Sequence, residues 1–312
     1  MNGNRVGEPV ADEVFRIAFT ASNVYFIGEP GGPWIVVDSG LPGHFEAIKA
    51  VAEERFGRDA RPEAIVLTHA HVDQYGSALA LAAYWDVPIY AHRFELPYLT
   101  GRASLPPPDP TVGGVFAFVT RFLPPSETDL GRFVQALPED HSIPGVLGWS
   151  WVHTPGHTPG HISLFREADR TLIAGDAILT VDLDDMRALL TKEQRLSRPP
   201  SPATYDWLSV RKSLQVLASL KPFVIASGHG IPMRGRNLAA ALQDFANDFL
   251  PPLHGRYVAD PAVMDEEGIV FLPPPVADAL PIVAAGAGIA MGIAAAVFFA
   301  RRKRELGGRK RD

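Results

Sequence analysis

The stretch Thr68-His69-Ala70-His71-Val72-Asp73-Gln74 follows an apolar run, Ala64-Ile65-Val66-Leu67, that predicts a buried strand. Two imidazoles and a carboxylate at alternate positions fall where that strand should run out into a turn. A turn lets alternate side chains converge, and neutral imidazole and ionised carboxylate are ordinary ligands of zinc. The pattern of a strand ending in a ligand type recurs at three further places. They are His157 in Thr154-Pro155-Gly156-His157-Thr158-Pro159-Gly160-His161, Asp176 after Thr171-Leu172-Ile173-Ala174-Gly175, and His229 in Ser227-Gly228-His229-Gly230. Any one alone reads as a polar turn. Together, at strand ends that one sheet edge can gather, they point to a metal site. The chain has no cysteine, so every zinc-type ligand must be His, Asp or Glu, and disulfides and a cysteine nucleophile are excluded.

Strands alternate with helices along the chain, which implies a layered α/β architecture. Apolar runs at 14–19, 24–27 and 34–37 predict sheet strands, the last closed by Asp38-Ser39-Gly40. Helices are predicted over Phe45–Phe56 and from about Gln74 to Trp85, with a short strand at Val87–Tyr90 between this region and the next. The segment 98–131 breaks the rhythm. Its apolar part, with Phe116, Phe118 and Phe122, reads as a connecting helix packed on the core or as the lid of an apolar pocket. Strands resume at 147–152, 162–165 and 171–174, then a helix over 205–220, a strand at 223–226 and a helix over 237–249. The Pro- and acid-rich stretch 251–278 reads as a linker.

Residues 279–300 are 22 uncharged residues, nine of them Ala and three Gly, followed by Arg301-Arg302-Lys303-Arg304. A helix of that length, at about 1.5 Å per residue, reaches about 33 Å and can cross a bilayer's hydrocarbon core. The expectation is a transmembrane helix at 279–300 and a basic tail at 301–312, the alternative being a buried or interfacial helix. The basic tail favours the cytoplasm for itself, which across one span puts the body on the other side. Met1–Thr20 has no leader-like pattern, which favours the cytoplasm for the body. A membrane-associated protein with a cytoplasmic body is the reading adopted. The last twelve residues carry seven Lys/Arg against two Asp/Glu, so residues 1–300 hold 22 basic and 33 acidic side chains, a net of −11. So acidic a body is a poor binder of phosphate backbones, and nucleic acid is excluded as a partner.

Taken in order, V-D-S-G at 37–40, T-H-x-H-x-D at 68–73, T-P-G-H-T-P-G-H at 154–161, G-D at 175–176 and S-G-H-G at 227–230 resemble the metallo-β-lactamase-fold hydrolases, within them the glyoxalase II-like branch. The resemblance covers about residues 12–250 and is specific for fold, not for substrate. It implies an α/β fold, an αββα sandwich with the site at one edge, in a catalytic domain at 1–250. It implies that His69, His71 and His157 hold one metal ion, that Asp176 bridges, and that Asp73 and His229 hold a second. Asp38 matches a supporting position. His153 and His161 match no ligand position, and His161 reads as a hydrogen-bonding residue of its loop. The family usually has His where this chain has Gln74, whose amide oxygen is a weaker donor. One tightly held ion and a weak second site are therefore expected, with Gln74 either in the shell or replaced there by water.

The function implied is zinc-dependent hydrolysis of a small ester, thioester, lactone or amide, with zinc-activated hydroxide attacking the carbonyl and Asp73 orienting it and moving its proton. The alternative is a mononuclear Fe2+ oxidoreductase similar to the persulfide dioxygenases, since two His and one carboxylate suit Fe(II). The partner is a small molecule. No basic cluster suited to glutathione carboxylates is evident, and the pattern leaves oligomeric state unspecified.

Overall fold

Along Trp34–Val37, Trp34 and Val36 enter one apolar cluster while Ile35 and Val37 enter another. That alternation, the period-two geometry of a strand buried on both faces, builds the layers. A computed structural model describes residues 7–122, 128–191 and 193–278. The first sheet has seven strands in chain order: β1 (Gly7–Ala11), β2 (Val14–Ala18), β3 (Asn23–Gly28), β4 (Trp34–Val37), β5 (Ala64–Val66), β6 (Ile89–Ala91) and β7 (Val134–Ala136). The second runs β12 (Met233–Arg234), β11 (Val224–Ser227), β10 (Thr171–Gly175), β9 (Ile162–Arg166), β8 (Trp149–His153).

Between the sheets lie Tyr25, Ile27, Ile35, Val37 and Val66 from one side and Trp149, Trp151, Leu164, Ile173 and Ala226 from the other. The outer face of the first sheet packs on α1 (Phe45–Phe56) and on α3 (Ala78–Trp85), which follows the single turn α2 (Val72–Tyr75). The outer face of the second presents Leu172, Ala174 and Ile225 to α7 (Trp207–Ser219) and α8 (Leu238–Asn247), through Val210, Leu214, Leu217 and Leu242. The result is the expected αββα stack. Helices α4 (Leu96–Leu99), α5 (Val115–Thr120) and α6 (Met186–Thr191) lie in the connections.

Three local readings change. The helix expected over 74–85 is interrupted, because Ser77 Oγ donates to Leu41 O at 2.7 Å and accepts from His44 N at 3.1 Å, tying the chain to the loop before α1. The segment carrying Phe116, Phe118 and Phe122 forms α5, but it is Ala117 and Thr120 that are buried; Phe118 and Phe122 are 51% and 72% exposed. They are not core residues. The stretch 251–278 is no simple linker: the unit runs to Pro274 and holds α9 (Arg256–Ala259) and a hairpin of β13 (Val263–Asp265) and β14 (Gly268–Phe271). Tyr257 anchors it, buried edge-on against Tyr205, with its hydroxyl donating to Pro107 O at 2.7 Å. The apolar run 279–300 and the tail 301–312 lie outside the described residues; among the described residues no helix is long and apolar enough to cross a membrane.

Candidate metal centre

β4, β5 and β6 are parallel neighbours, and so are β10 and β11. The segments leaving β5, β10 and β11 therefore emerge at carboxyl ends, where loop side chains of an α/β sheet gather. Ile162 N donates to Thr68 O and Asn23 N to Gly228 O, at 3.0 and 2.8 Å, closing the two sheets against each other there. His69, His71 and His157 meet at this edge, with one ring nitrogen of each within 4.8 Å of the others. Asp176 Oδ2 lies 3.9 Å from His69 Nε2, 3.5 Å from His157 Nε2 and 3.1 Å from His229 Nε2. Asp73 Oδ2 is 3.3 Å from His229 Nε2. The side chains expected to converge do so.

The partners behind the rings decide which nitrogen faces inward. Thr68 Oγ1 donates to the Asp38 carboxylate, so it accepts from His69 Nδ1–H at 3.0 Å and leaves Nε2 as a lone pair. Thr204 Oγ1 donates to Pro200 O, so it accepts from His157 Nδ1–H at 3.1 Å, again leaving Nε2. His71 Nε2 meets Tyr205 Oη at 3.3 Å, and its Nδ1 lies 2.9 Å from His157 Nε2. A tyrosine hydroxyl can donate or accept, so Tyr205 permits the His71 tautomer whose Nδ1 lone pair joins the others. Burial, reinforced by the neighbouring imidazoles, holds His69 and His157 well below the ordinary histidine range, and burial lowers His71 despite the nearby carboxylates. All three are the neutral ligand form.

Three buried acceptors at this edge, His69 Nε2, Asp176 Oδ1 and Gln74 Oε1, have no hydrogen-bond partner. A buried acceptor without a donor costs about 1–3 kcal/mol. A divalent cation held by His69, His71, His157 and Asp176 would satisfy His69 Nε2, with Asp176 Oδ2 the carboxylate oxygen nearest the rings, so the donor set fits a metal ion.

Asp73, Asp176 and His229 form the second half. Burial lowers the affinity of His229 for its proton, but Asp176 and Asp73 outweigh it and raise its pKa well above the usual value. Burial raises Asp73, and the hydrogen bond and charge of His229 together with the nearby His71 outweigh it, so the carboxyl is held below its usual range. Without a metal these groups form an ion-paired cluster. Gln74 is buried beside them; its Nε2 donates to Asp73 Oδ2 at 3.4 Å and its Oε1 has no partner. The N–H toward Asp73 is no ligand; the unpartnered Oε1 is the atom a metal could take.

The supporting residues explain the loops. Asp38, in a left-handed conformation (φ 62°), fixes Thr68 by its N–H and hydroxyl. His161 Nε2 accepts from Asp176 N at 2.9 Å, which is the hydrogen-bonding role expected of it. That approach needs Gly175: a Cβ there would sit 2.6 Å from His161 Nε2. His153 is no ligand; its ring stacks on His92 and its Nε2 donates to Pro159 O.

Three residues the sequence did not flag complete the frame: Thr204, Tyr205 and Glu95. Glu95 is fully buried and spans the two ligand loops, Oε2 accepting from Ala70 N at 2.7 Å and Oε1 from Gly160 N at 2.6 Å. No spacing rule marks an acid that acts on backbone groups so far apart in the chain. Glu95→Gln puts an amide N–H against one of these donors. It is expected to cost about 1–3 kcal/mol in urea unfolding and to weaken metal binding about 10- to 100-fold; wild-type behaviour in both measurements would remove the clamp.

The fold and this donor set define a metal-dependent hydrolase. The family model of the Metallo-beta-lactamase superfamily matches residues 17–229, and the chain belongs to that superfamily. The probable metallo-hydrolase YflN of Bacillus subtilis (strain 168) is 41% identical over 244 residues, 77% of this chain and 92% of that protein. A more distant relative, the hydroxyacylglutathione hydrolase GloC of Haemophilus influenzae, is 28% identical over 120 residues, 38% of this chain and 51% of that one. Among solved structures, TTHA1623 in a di-iron-bound form is similar with a TM-score of 0.50 and 24% identity, covering 75% of this chain and 98% of that one. That likeness shows the fold alone.

Proposed function

We propose that the protein is a zinc-dependent hydrolase of a small ester, thioester, lactone or amide, of the glyoxalase II-like branch. The carrying observation is the convergence of neutral histidine nitrogens, two of them turned inward by the Thr68 and Thr204 hydroxyls, beside an unpartnered Asp176 oxygen. His69, His71 and His157 would hold the ion with Asp176 beside them, and Asp73, His229 and Gln74 would surround a weaker second position. A zinc ion so held supplies Lewis acidity and lowers the pKa of a water it binds from about 15.7 to about 7. Asp73 Oδ2 accepts the proton released during attack and returns it to the leaving group, its ionised form maintained by His229. His161 and Gly175 keep the Asp176 backbone fixed while this happens.

The test is metal analysis of freshly purified protein together with a panel of p-nitrophenyl esters, thioesters, lactones and nitrocefin. Zinc with turnover on the panel supports the reading. Iron, no turnover, and oxygen uptake on glutathione persulfide would replace it with the Fe2+ oxidoreductase, which the weakened second position favours. Gln74→His offers an imidazole where the amide N–H now stands. It should raise zinc content from about one toward about two ions per chain by elemental analysis; unchanged stoichiometry would place the weakness elsewhere.

Membrane attachment through 279–300 is carried by the apolar run and basic tail alone; the body is proposed to lie in the cytoplasm. The full chain should stay with carbonate-washed membranes and a chain ending at Pro274 should not; a full chain found wholly in the wash would refute the anchor.

A further inference from the structure

Beside His229 the structure has a crevice of about 190 Å3 that also touches the loop between β2 and β3. The apolar part of its wall is Phe19, Val181, Leu183, Leu189 and Ile231; of its polar residues, Ser22 and Asn23 donate to main-chain carbonyls. At about 30 Å3 per water molecule it holds about six waters, or a group of about six non-hydrogen atoms. Arg16 is the cationic side chain on its wall other than His229, and it is already committed. Its Nη2 pairs with Glu8 at 2.7 Å and its Nη1 donates to Gly230 O at 2.8 Å. Its Nε is buried, so the crevice meets the guanidinium only at the two Nη groups that Glu8 and Gly230 O already engage. Glu8 also cancels the charge. A body with a net of −11 over residues 1–300 adds long-range repulsion to any anion.

We propose that this crevice takes one uncharged aliphatic arm of the substrate, about six non-hydrogen atoms long, and that Leu183 and Leu189 set the length. The inference rests on the hydrolase reading and names its substrate class: neutral short-chain acyl compounds rather than acyl groups carried on an anionic peptide such as glutathione. Leu183 and Leu189 suit the role because both are half-buried, on the segment entering and forming α6, so they face the crevice without being locked in the core. The two cations that line the crevice, Arg16 and His229, are already paired, with Glu8 and with Asp73 and Asp176.

The metal-loaded full chain is assayed with p-nitrophenyl esters from acetate to dodecanoate, a hemisuccinate ester and an acyl-glutathione thioester. The expected kcat/KM peaks at about four to six carbons and falls about tenfold or more for dodecanoate and for both anionic substrates. Leu183→Trp and Leu189→Trp, each checked for unaltered thermal unfolding, should lower the hexanoate-to-acetate ratio of kcat/KM about tenfold. A flat chain-length series, a preference for the anionic substrates, or a ratio unmoved in both folded variants would overturn the proposal. If no ester, thioester, lactone or lactam is turned over, it is the hydrolase reading that fails, and the crevice is judged by binding. Saturation-transfer NMR should then show hexanamide binding that Leu189→Trp abolishes. Glutathione bound in preference, or no hexanamide bound, would overturn it.

Discussion

Asp73→Asn is expected to lower kcat about 10²- to 10⁴-fold, the range for loss of a positioned proton carrier, while zinc stays at His69, His71 and His157. Exposure and charge single out Asp73. Its side chain is 23% exposed against 2% for Asp176, so of the two carboxylates it is the one that substrate can reach. Its carboxylate is kept ionised by His229, the state a proton acceptor needs. The asparagine is isosteric and can still accept from His229, so the fold and the first metal position should survive. A kcat within threefold of wild type, with zinc unchanged by elemental analysis, would remove Asp73 from proton transfer.

The second large effect is on the metal itself. His157→Ala takes away one of three converging nitrogens and leaves His71 Nδ1 without its neighbour at 2.9 Å. Activity should fall to background. Stability gives an independent reading: an ion at 1,000 times its dissociation constant stabilises by about 4 kcal/mol, which raises Tm by roughly 10 °C in a domain of this size. Chelation should abolish that gain in the wild type and leave His157→Ala unmoved. A variant whose Tm still responds fully to chelator would mean that the ion sits elsewhere.

What could be read from the chain and what could not follows from how local each signal is. His69, His71, His157, Asp176 and His229 each stand at the end of an apolar run, so strand period and residue type together locate them. Their convergence needed parallel strands sharing an edge, which the βα alternation through β4, β5 and β6 made legible. Glu95, Thr204 and Tyr205 act across distant loops and leave no periodic trace. The hairpin at 263–271 hid in a Pro- and acid-rich stretch because its anchoring comes from a few scattered side chains, Tyr257, Ala262, Met264 and Leu272, rather than from a regular apolar period. The segment at 115–122 misled in the opposite direction: Phe118 and Phe122 look like core residues by type, yet both are exposed, and α5 turns Ala117 and Thr120 inward.

The ligand loops descend from different sheets: His69, His71 and Asp73 from the first, His157, Asp176 and His229 from the second. A bound cation is thus also a rivet across the seam of the sandwich. Drawing it out should let that end of the seam breathe, so amide hydrogens near Thr68 and Ile162 should exchange faster in the stripped protein while those deep between the sheets, such as Ile35 and Ile173, keep their pace. Loading the ion and tightening the scaffold would then be one event, seen first at the rim.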